Sequence, residues 1–385
     1  MRPLQDMDVV RLVVLQPTPY CNIACDYCYL PRRDKRSVMR PEVLDAIGAR
    51  LLAHPLTALD ATVVWHAGEP LVLPAAWYAQ AIDRLHMAAG RVFSHAIQTN
   101  GIGLDETWVR LARAKRLRLG LSLDGPADLH DARRRTRSGR ATHPLVMGAV
   151  RVLQDAGLDF HVITVLTRAH LSEPERLYAF YRAEGLRRVG FNIEEVEGDN
   201  RASSLAGADD LFREFFRRFL ACMEAEPGAL LLREAIEAEG ALLHARPGLL
   251  SDQADPLRIV SVDVEGNVAS FSPELLGAPA GEYGSFSFGN LCEEGIAPIA
   301  QRIRASRLAA DIAAGVEACR RSCAFFAFCG GGAPANKWFE HGSLAGSETL
   351  FCRLARKVVL EEVLLLLERR VAAMEARRAA VALHE

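Results

Sequence analysis

The chain has 385 residues, half of them apolar, and its 46 basic and 48 acidic side chains leave a formal net charge of −2. That length holds a large barrel or more than one domain, with enough apolar residues for a real core. The charge balance excludes a dedicated nucleic-acid surface, and no stretch approaches the ~20 uninterrupted apolar residues of a membrane span, so a cytoplasmic protein acting on protein, peptide or small molecule is expected.

The first residues, MRPLQDMDVVRLVVLQP, place a short apolar run after two aspartates and lack a small-residue cleavage site, so they do not read as a secretory signal. About eight residues precede the first expected strand, and no winged-helix-like leader-recognition domain is expected there. Strand-like segments follow at 9–17, 61–68, 93–101, 117–125, 160–167 and 188–196. Amphipathic stretches at 40–54, 74–89, 105–115 and 142–157 lie between them. Repeated β-α units with apolar strands predict a parallel sheet covered by helices. Polar clusters come just after strands: Gly68-Glu69-Pro70, Gln98 to Gly101, Asp124-Gly125-Pro126 and Glu194 to Gly198. In parallel α/β folds, ligands bind at those strand ends.

Residues 210–226 and 231–245 read as helices. The stretch 258–277 reads as a hairpin turning at Glu265-Gly266-Asn267, and the last ~70 residues as a Cys- and Gly-rich loop followed by a long helix from about 350. Three segments are expected: a core barrel at 1–204, a helical bridge at 205–257 and a cluster-binding module at 258–385.

Nine cysteines fall unevenly. Cys21, Cys25 and Cys28 form C-x3-C-x2-C in the loop after the first strand, and Cys319, Cys323, Cys329 and Cys352 form C-x3-C-x5-C-x22-C. Cys222 and Cys292 stand apart and read as packing thiols. In a cytosolic chain such groups indicate metal or redox sites rather than disulfides. Three thiolates in one loop suit an iron–sulfur cubane with one iron left open to a small molecule. Structural zinc wants a fourth ligand, and three thiolates would make a catalytic zinc a poor Lewis acid.

The motif CNIACDYC after a first strand resembles the signature of the radical S-adenosylmethionine (SAM) enzymes, and the order of later motifs is similar over nearly the whole chain. The resemblance implies an α/β fold: a partial (β/α)6 TIM-like radical SAM barrel with a C-terminal SPASM-like cluster-binding module. It implies that Cys21, Cys25 and Cys28 hold a [4Fe–4S] cluster whose open iron binds S-adenosyl-L-methionine. An electron then cleaves SAM to methionine and a 5′-deoxyadenosyl radical, which abstracts a substrate hydrogen. Glu69 of AGEP is implied to accept the SAM ammonium, with Gly68 allowing close backbone approach. Ser122 and Arg134 are implied to grip the carboxylate, Arg134 within a run of three arginines that leaves the register open by one. Tyr27 and Asn192 are implied to lie near the adenine.

The C-terminal cysteines resemble the SPASM extension of peptide-modifying radical enzymes. A full SPASM domain has seven cysteines and two clusters, but here Ser270, Phe271 and Ala333 stand where cysteines would be expected. One auxiliary [4Fe–4S] cluster, fully ligated by Cys319, Cys323, Cys329 and Cys352, is implied. The wording LQPTPYCN, FNIEEVEGDN and CGGGAPANKWFEHG is most similar to cyclophane-forming maturases of glycine-rich repeat peptides. Such an enzyme joins an aromatic ring to the Cβ of a residue two positions later. It needs a precursor peptide, an electron donor such as flavodoxin or ferredoxin, and a base, for which Glu194, Glu195 and Asp263 are candidates beside Glu197 and Glu340. Other readings are a formylglycine-forming sulfatase maturase, a thioether-forming peptide maturase and a zinc-binding scaffold without catalysis. The run Gly330 to Gly332 beside Trp338 either lets an extended peptide approach the backbone or wraps the auxiliary cluster.

Overall fold

The computed structural model describes residues 9–244 and 250–382. The expectation for the first eight residues, and Ala245 of the second bridge helix, lie outside them. Six strands, β1 (Val10–Leu15), β2 (Thr57–Trp65), β3 (Ser94–Thr99), β4 (Arg118–Ser122), β5 (Phe160–Leu166) and β6 (Arg188–Ile193), pair in chain order, all parallel. This is the expected α/β architecture. β2 begins four residues earlier than its apolar pattern, because Leu59 is 84% exposed and Asp60 is charged, which hides the strand from an alternation test.

Helices cover the outer face for the usual amphipathic reason. Ala75–Ala89 buries Tyr78, Ile82 and Leu85, at helical spacing. Asp209–Ala225 lays Phe212, Phe215, Phe216 and Phe219 on the sheet, with the Phe219 ring 5.0 Å from that of Phe191 in β6. A two-residue β7 (Leu231–Leu232), too short to show a pattern, continues the parallel order beyond β6.

The expected hairpin is β8 (Ile259–Val262) and β9 (Asn267–Ser270), followed by β10 (Ser287–Asn290), which was not read from the sequence. β8 runs parallel to β1 and is hydrogen-bonded to it, so the chain forms one ten-stranded sheet, β10-β9-β8-β1-β2-β3-β4-β5-β6-β7. The stretch from 315 to 349 is not the open loop expected. Arg307–Ser322, Phe326–Cys329 and Pro334–His341 are helices, the first capped by the Ser306 hydroxyl and the last opened by Pro334 and closed by a left-handed Gly342. The terminal helix, Val359–Ala382, packs on Arg233–Leu243 and Asp209–Ala225. No helix among the described residues is long and apolar enough to cross a membrane.

Candidate active site

β1 leads straight into the cysteine loop. Its exit is pinned on one side by Gln16 N donating to Val262 O (2.9 Å), at the end of β8. On the other, Ala24 N donates to Arg135 O (2.8 Å) and Ile23 bridges Thr136. Cys21, Cys25 and Cys28 are free thiols, Cys25 buried and the others half-buried. Burial, with Glu69 next, pushes Cys21 up to about 12, and burial pushes Cys25 up to about 11; neighbouring cysteines of the set add to both. Unpaired thiols held within range of one another's charge fit a polynuclear cation that replaces their protons.

Gly68 has φ +102°, and a Cβ there would lie 2.1 Å from Thr18 O, so only glycine lets the turn after β2 touch the cysteine loop. Glu69, 2% exposed, accepts from Leu71 N (2.8 Å), Thr99 Oγ1 (2.5 Å) and Asn100 N (2.8 Å). Burial lifts its carboxyl to about 7, opposed by those bonds. Asn100 Nδ2 donates in turn to Asn22 Oδ1 (2.8 Å) in the cysteine loop.

The arginine run resolves into three environments. Arg133 pairs with Asp26 (3.0 Å) and Glu194. Arg134 is buried, its Nε donating to Asp124 Oδ2 (2.9 Å) and its Nη1 lying 3.9 Å from Cys25 Sγ. Arg135 is exposed and bonds Asp131 O (2.7 Å). Tyr27 donates its hydroxyl to the same Asp124 oxygen, and its ring lies under the Arg134 guanidinium at 5.4 Å. Asp124, fully buried, organises Tyr27 and Arg134 and also accepts from Val165 N (3.0 Å). The sequence marked it only as part of a polar turn, since a carboxylate that positions others has no motif of its own.

Ser122 ends β4 and accepts from Gln98 Nε2 (3.1 Å). Asn192 of β6 is exposed and accepts from Arg233 Nη2 (2.8 Å). The base candidates separate clearly. Asp263 is spent on its turn, accepting from Glu265 N and Asn267 N at 2.9 Å each. Glu194 is buried against Arg133 and accepts from Ser204 N (2.7 Å). Glu195 and Glu197 instead share one donor, Asn336 Nδ2, at 2.6 and 3.1 Å. Burial raises both, Glu197 well above the carboxylate range, and raises Glu340. Burial also lifts the adjacent Glu274 to about 7. Glu274 and Asn336 were not singled out from the sequence; they reach this cluster from the C-terminal segments. So was the neighbouring Tyr29–His66 contact (3.0 Å) passed over, although both residues flank motifs that were read.

The second cysteine set lies on helix ends. Cys319 is in the last turn of Arg307–Ser322, Cys323 caps that helix, Cys329 closes Phe326–Cys329, and Cys352 opens the wide-turn helix Cys352–Val358. Burial, then Cys329, pushes Cys352 up to about 12, and Cys323 adds to the rise. Burial raises Cys329 too, opposed first by the Arg356 guanidinium and then by the backbone of Gly332 and Gly331. Of the lone cysteines, Cys222 packs against the core as expected. Cys292 is exposed instead, because β10 ends at Asn290 and leaves it on a surface turn.

A parallel β/α barrel that carries three unpaired thiols on the loop after its first strand, beside a buried carboxylate and a buried arginine, defines a radical SAM enzyme. The chain matches the Radical SAM superfamily over residues 15–181 and belongs to that family, whose members use SAM and a [4Fe–4S] cluster. An uncharacterized protein of Synechocystis sp. is 38% identical over 379 residues, 95% of each chain. A serine-type anaerobic sulfatase-maturating enzyme of Bacteroides thetaiotaomicron is 26% identical over 208 residues, 51% of this chain. The chain spans about half the length of that relative (50%). In fold, it is similar to native anSMEcpe with bound AdoMet (TM-score 0.75, 18% identity, 94% of this chain and 99% of that one). It is also similar to Streptococcus suis SuiB bound to precursor peptide SuiA (TM-score 0.61, 16% identity, 90% and 76%).

Proposed function

We propose that this enzyme matures a ribosomally made precursor peptide by forming three-residue cyclophanes, joining an aromatic ring to the Cβ of a residue two positions later. In this reading Cys21, Cys25 and Cys28 hold the SAM-binding cluster, with Gly68, Glu69, Ser122, Arg134, Tyr27 and Asn192 around SAM. Cys319, Cys323, Cys329 and Cys352 hold one auxiliary cluster. When bound, the SAM cluster supplies a one-electron cleavage that yields a radical able to take a hydrogen atom from carbon.

The peptide loses one hydrogen as an atom and a second as a proton and an electron when the ring regains aromaticity. The proton needs a base at the barrel mouth. Glu195 suits that task better than Glu194, Asp263 or Glu197: it is not locked in an arginine pair or a turn and burial raises its proton affinity, whereas burial lifts Glu197 well above the range of a carboxylate that takes up protons. A flavodoxin- or ferredoxin-type donor is the expected source of the electron that starts each cycle.

The observation that carries this reading is the absence of a second auxiliary set. Phe271, 1% exposed, sits in a small apolar core with Leu275, Phe286 and Ile312, and Ser270 donates to Pro256 O (2.5 Å). Packed side chains therefore fill the positions where further cysteines would be needed. The relationship to sulfatase-maturating enzymes supports a second reading, oxidation of a Ser or Cys to formylglycine. Co-expression with a short glycine-rich peptide carrying aromatic-x-x triplets and Ser and Cys, followed by mass spectrometry, separates the two. The cyclophane reading expects loss of two hydrogens per crosslink, confined to an aromatic-x-x triplet. An oxidised Ser or Cys without a crosslink overturns it.

A further inference from the structure

Lys337 is 2% exposed, a rare state for a lysine, and it lies in the first turn or so of Pro334–His341, where the helix dipole disfavours a cation. A buried ammonium needs an anion close by. Among the described residues its Nζ has one side-chain partner, Cys319 Sγ at 3.5 Å, and it forms no ion pair with a carboxylate. The space around the ammonium is built for it. Gly315 faces it from the helix that carries Cys319, and a Cβ there would stand 3.1 Å from Nζ and 2.5 Å from Leu344 O.

The anion that such a lysine lacks is what four thiolates around a cubane provide, a centre with about two net negative charges. Two further cations face the same set from the helix that Cys352 opens, Arg356 toward Cys329 and Lys357 toward Cys323 and Cys352, but both are part-exposed where Lys337 is buried. A Cβ on Gly331, whose φ is +108°, would lie 2.8 Å from Val316 Cγ2, so this glycine run wraps the cysteines and is packed from behind.

We propose that Lys337 is a buried counter-cation of the auxiliary centre and raises its reduction potential, so that the centre accepts the electron released as the crosslinked ring regains aromaticity. The electron balance is simple: the cyclised radical loses one electron and one proton, and the auxiliary centre gains the electron. This inference rests on reading Cys319, Cys323, Cys329 and Cys352 as ligands. Lys337 is a positioning residue, acting on the cluster through space.

The test is a potentiometric titration, read by electron paramagnetic resonance, of the anaerobically reconstituted full chain, comparing wild type with Lys337→Met and Lys337→Arg. In Lys337→Met the auxiliary redox equilibrium is expected to shift tenfold or more toward the oxidised form, a fall of about 59 mV or more in midpoint. Lys337→Arg is expected to restore it, and the cluster at Cys21, Cys25 and Cys28 to stay unmoved in both. An unmoved auxiliary midpoint in Lys337→Met at full iron content overturns the proposal. Loss of auxiliary iron in both variants also overturns it, since packing rather than charge would then be at stake, whereas loss in Lys337→Met alone supports it. Wild type holding about four irons per chain rather than about eight, or holding zinc at the second set, overturns the ligand reading itself, independently of Lys337.

Discussion

Gly68 decides how near the turn after β2 comes to the cysteine loop. An alanine there meets two obstacles at once, a left-handed backbone and a carbonyl oxygen 2.1 Å from its Cβ. Either is enough to move the turn, and Glu69 moves with it because its own amide donates to Tyr20 O (2.8 Å). Gly68→Ala is therefore expected to cost on the order of 2 kcal/mol or more of stability. It should also weaken SAM binding at least tenfold, measured by thermal melting and by equilibrium dialysis on the reconstituted protein. A melt and an affinity equal to wild type would show that the contact is dispensable. Glu69 and Gly68 were legible in the sequence because a Gly-Glu-Pro turn after a strand and a cysteine loop is a linear pattern. Asp124 was not, since its importance lies in joining Arg134 to Tyr27, which is 97 residues away in the chain.

Individual elements carry their own pH sensitivity. On β3, His95 is buried between Trp65 and His86. Trp65 Nε1 donates to His95 Nδ1 (3.2 Å), and His95 Nε2 meets His86 Nε2 (2.9 Å), an arrangement that satisfies the neutral ring with its proton on Nε2. A proton on Nδ1 would face the indole N–H. Burial, with His86 and Lys115 adding, accordingly lowers His95 to about 3. Because the unfolded chain binds this proton near pH 6.5 and the folded one does not until about pH 3, stability is full above about 6.5 and falls as pH drops through that window. His66 and His130, each lowered to about 4 chiefly by burial, act in the same direction. For His95 alone the loss is about 2 kcal/mol by about pH 5. His95→Gln keeps an acceptor for Trp65 and removes the titration, so its acid-unfolding midpoint, followed by tryptophan fluorescence, should lie below that of wild type. An unchanged midpoint would assign the acid sensitivity elsewhere. The six barrel strands could be read from sequence, since each is an apolar run bounded by turn residues. β7 and β10 could not, being two and four residues long and held by pairing rather than by pattern. The helices around the second cysteine set were hidden for another reason: cysteine and glycine spacing dominates that stretch and masks the buried Leu308, Ile312 and Val316, which repeat every four residues.

At the level of the whole molecule, the sheet does not stop where the barrel stops. β1 lies between β2 and β8, and its exit into the cysteine loop is fixed from the β8 side through Gln16 and Val262. The C-terminal segment thus completes the floor from which the first cysteine set is launched, and through Asn336 it also holds the carboxylates of the barrel mouth. We propose that the segments 1–204, 205–257 and 258–385 unfold as one cooperative unit. A chain ending at residue 257 would uncover the β1 edge, leaving its ladder groups unpaired beside the fully buried Val13 and Leu15. It would also strip the outer faces of Asp209–Ala225 and Arg233–Leu243 of the long terminal helix. Unpaired strand edges and apolar faces associate. The shortened chain is expected to elute as aggregate in size-exclusion chromatography and to bind little iron at Cys21, Cys25 and Cys28, even though it contains all three. If it were instead monodisperse, with native circular dichroism and about four irons per chain, the barrel would be an independent folding unit. The hydrogen bonds between β1 and β8 would then be a docking contact made after the barrel had already formed its cluster site.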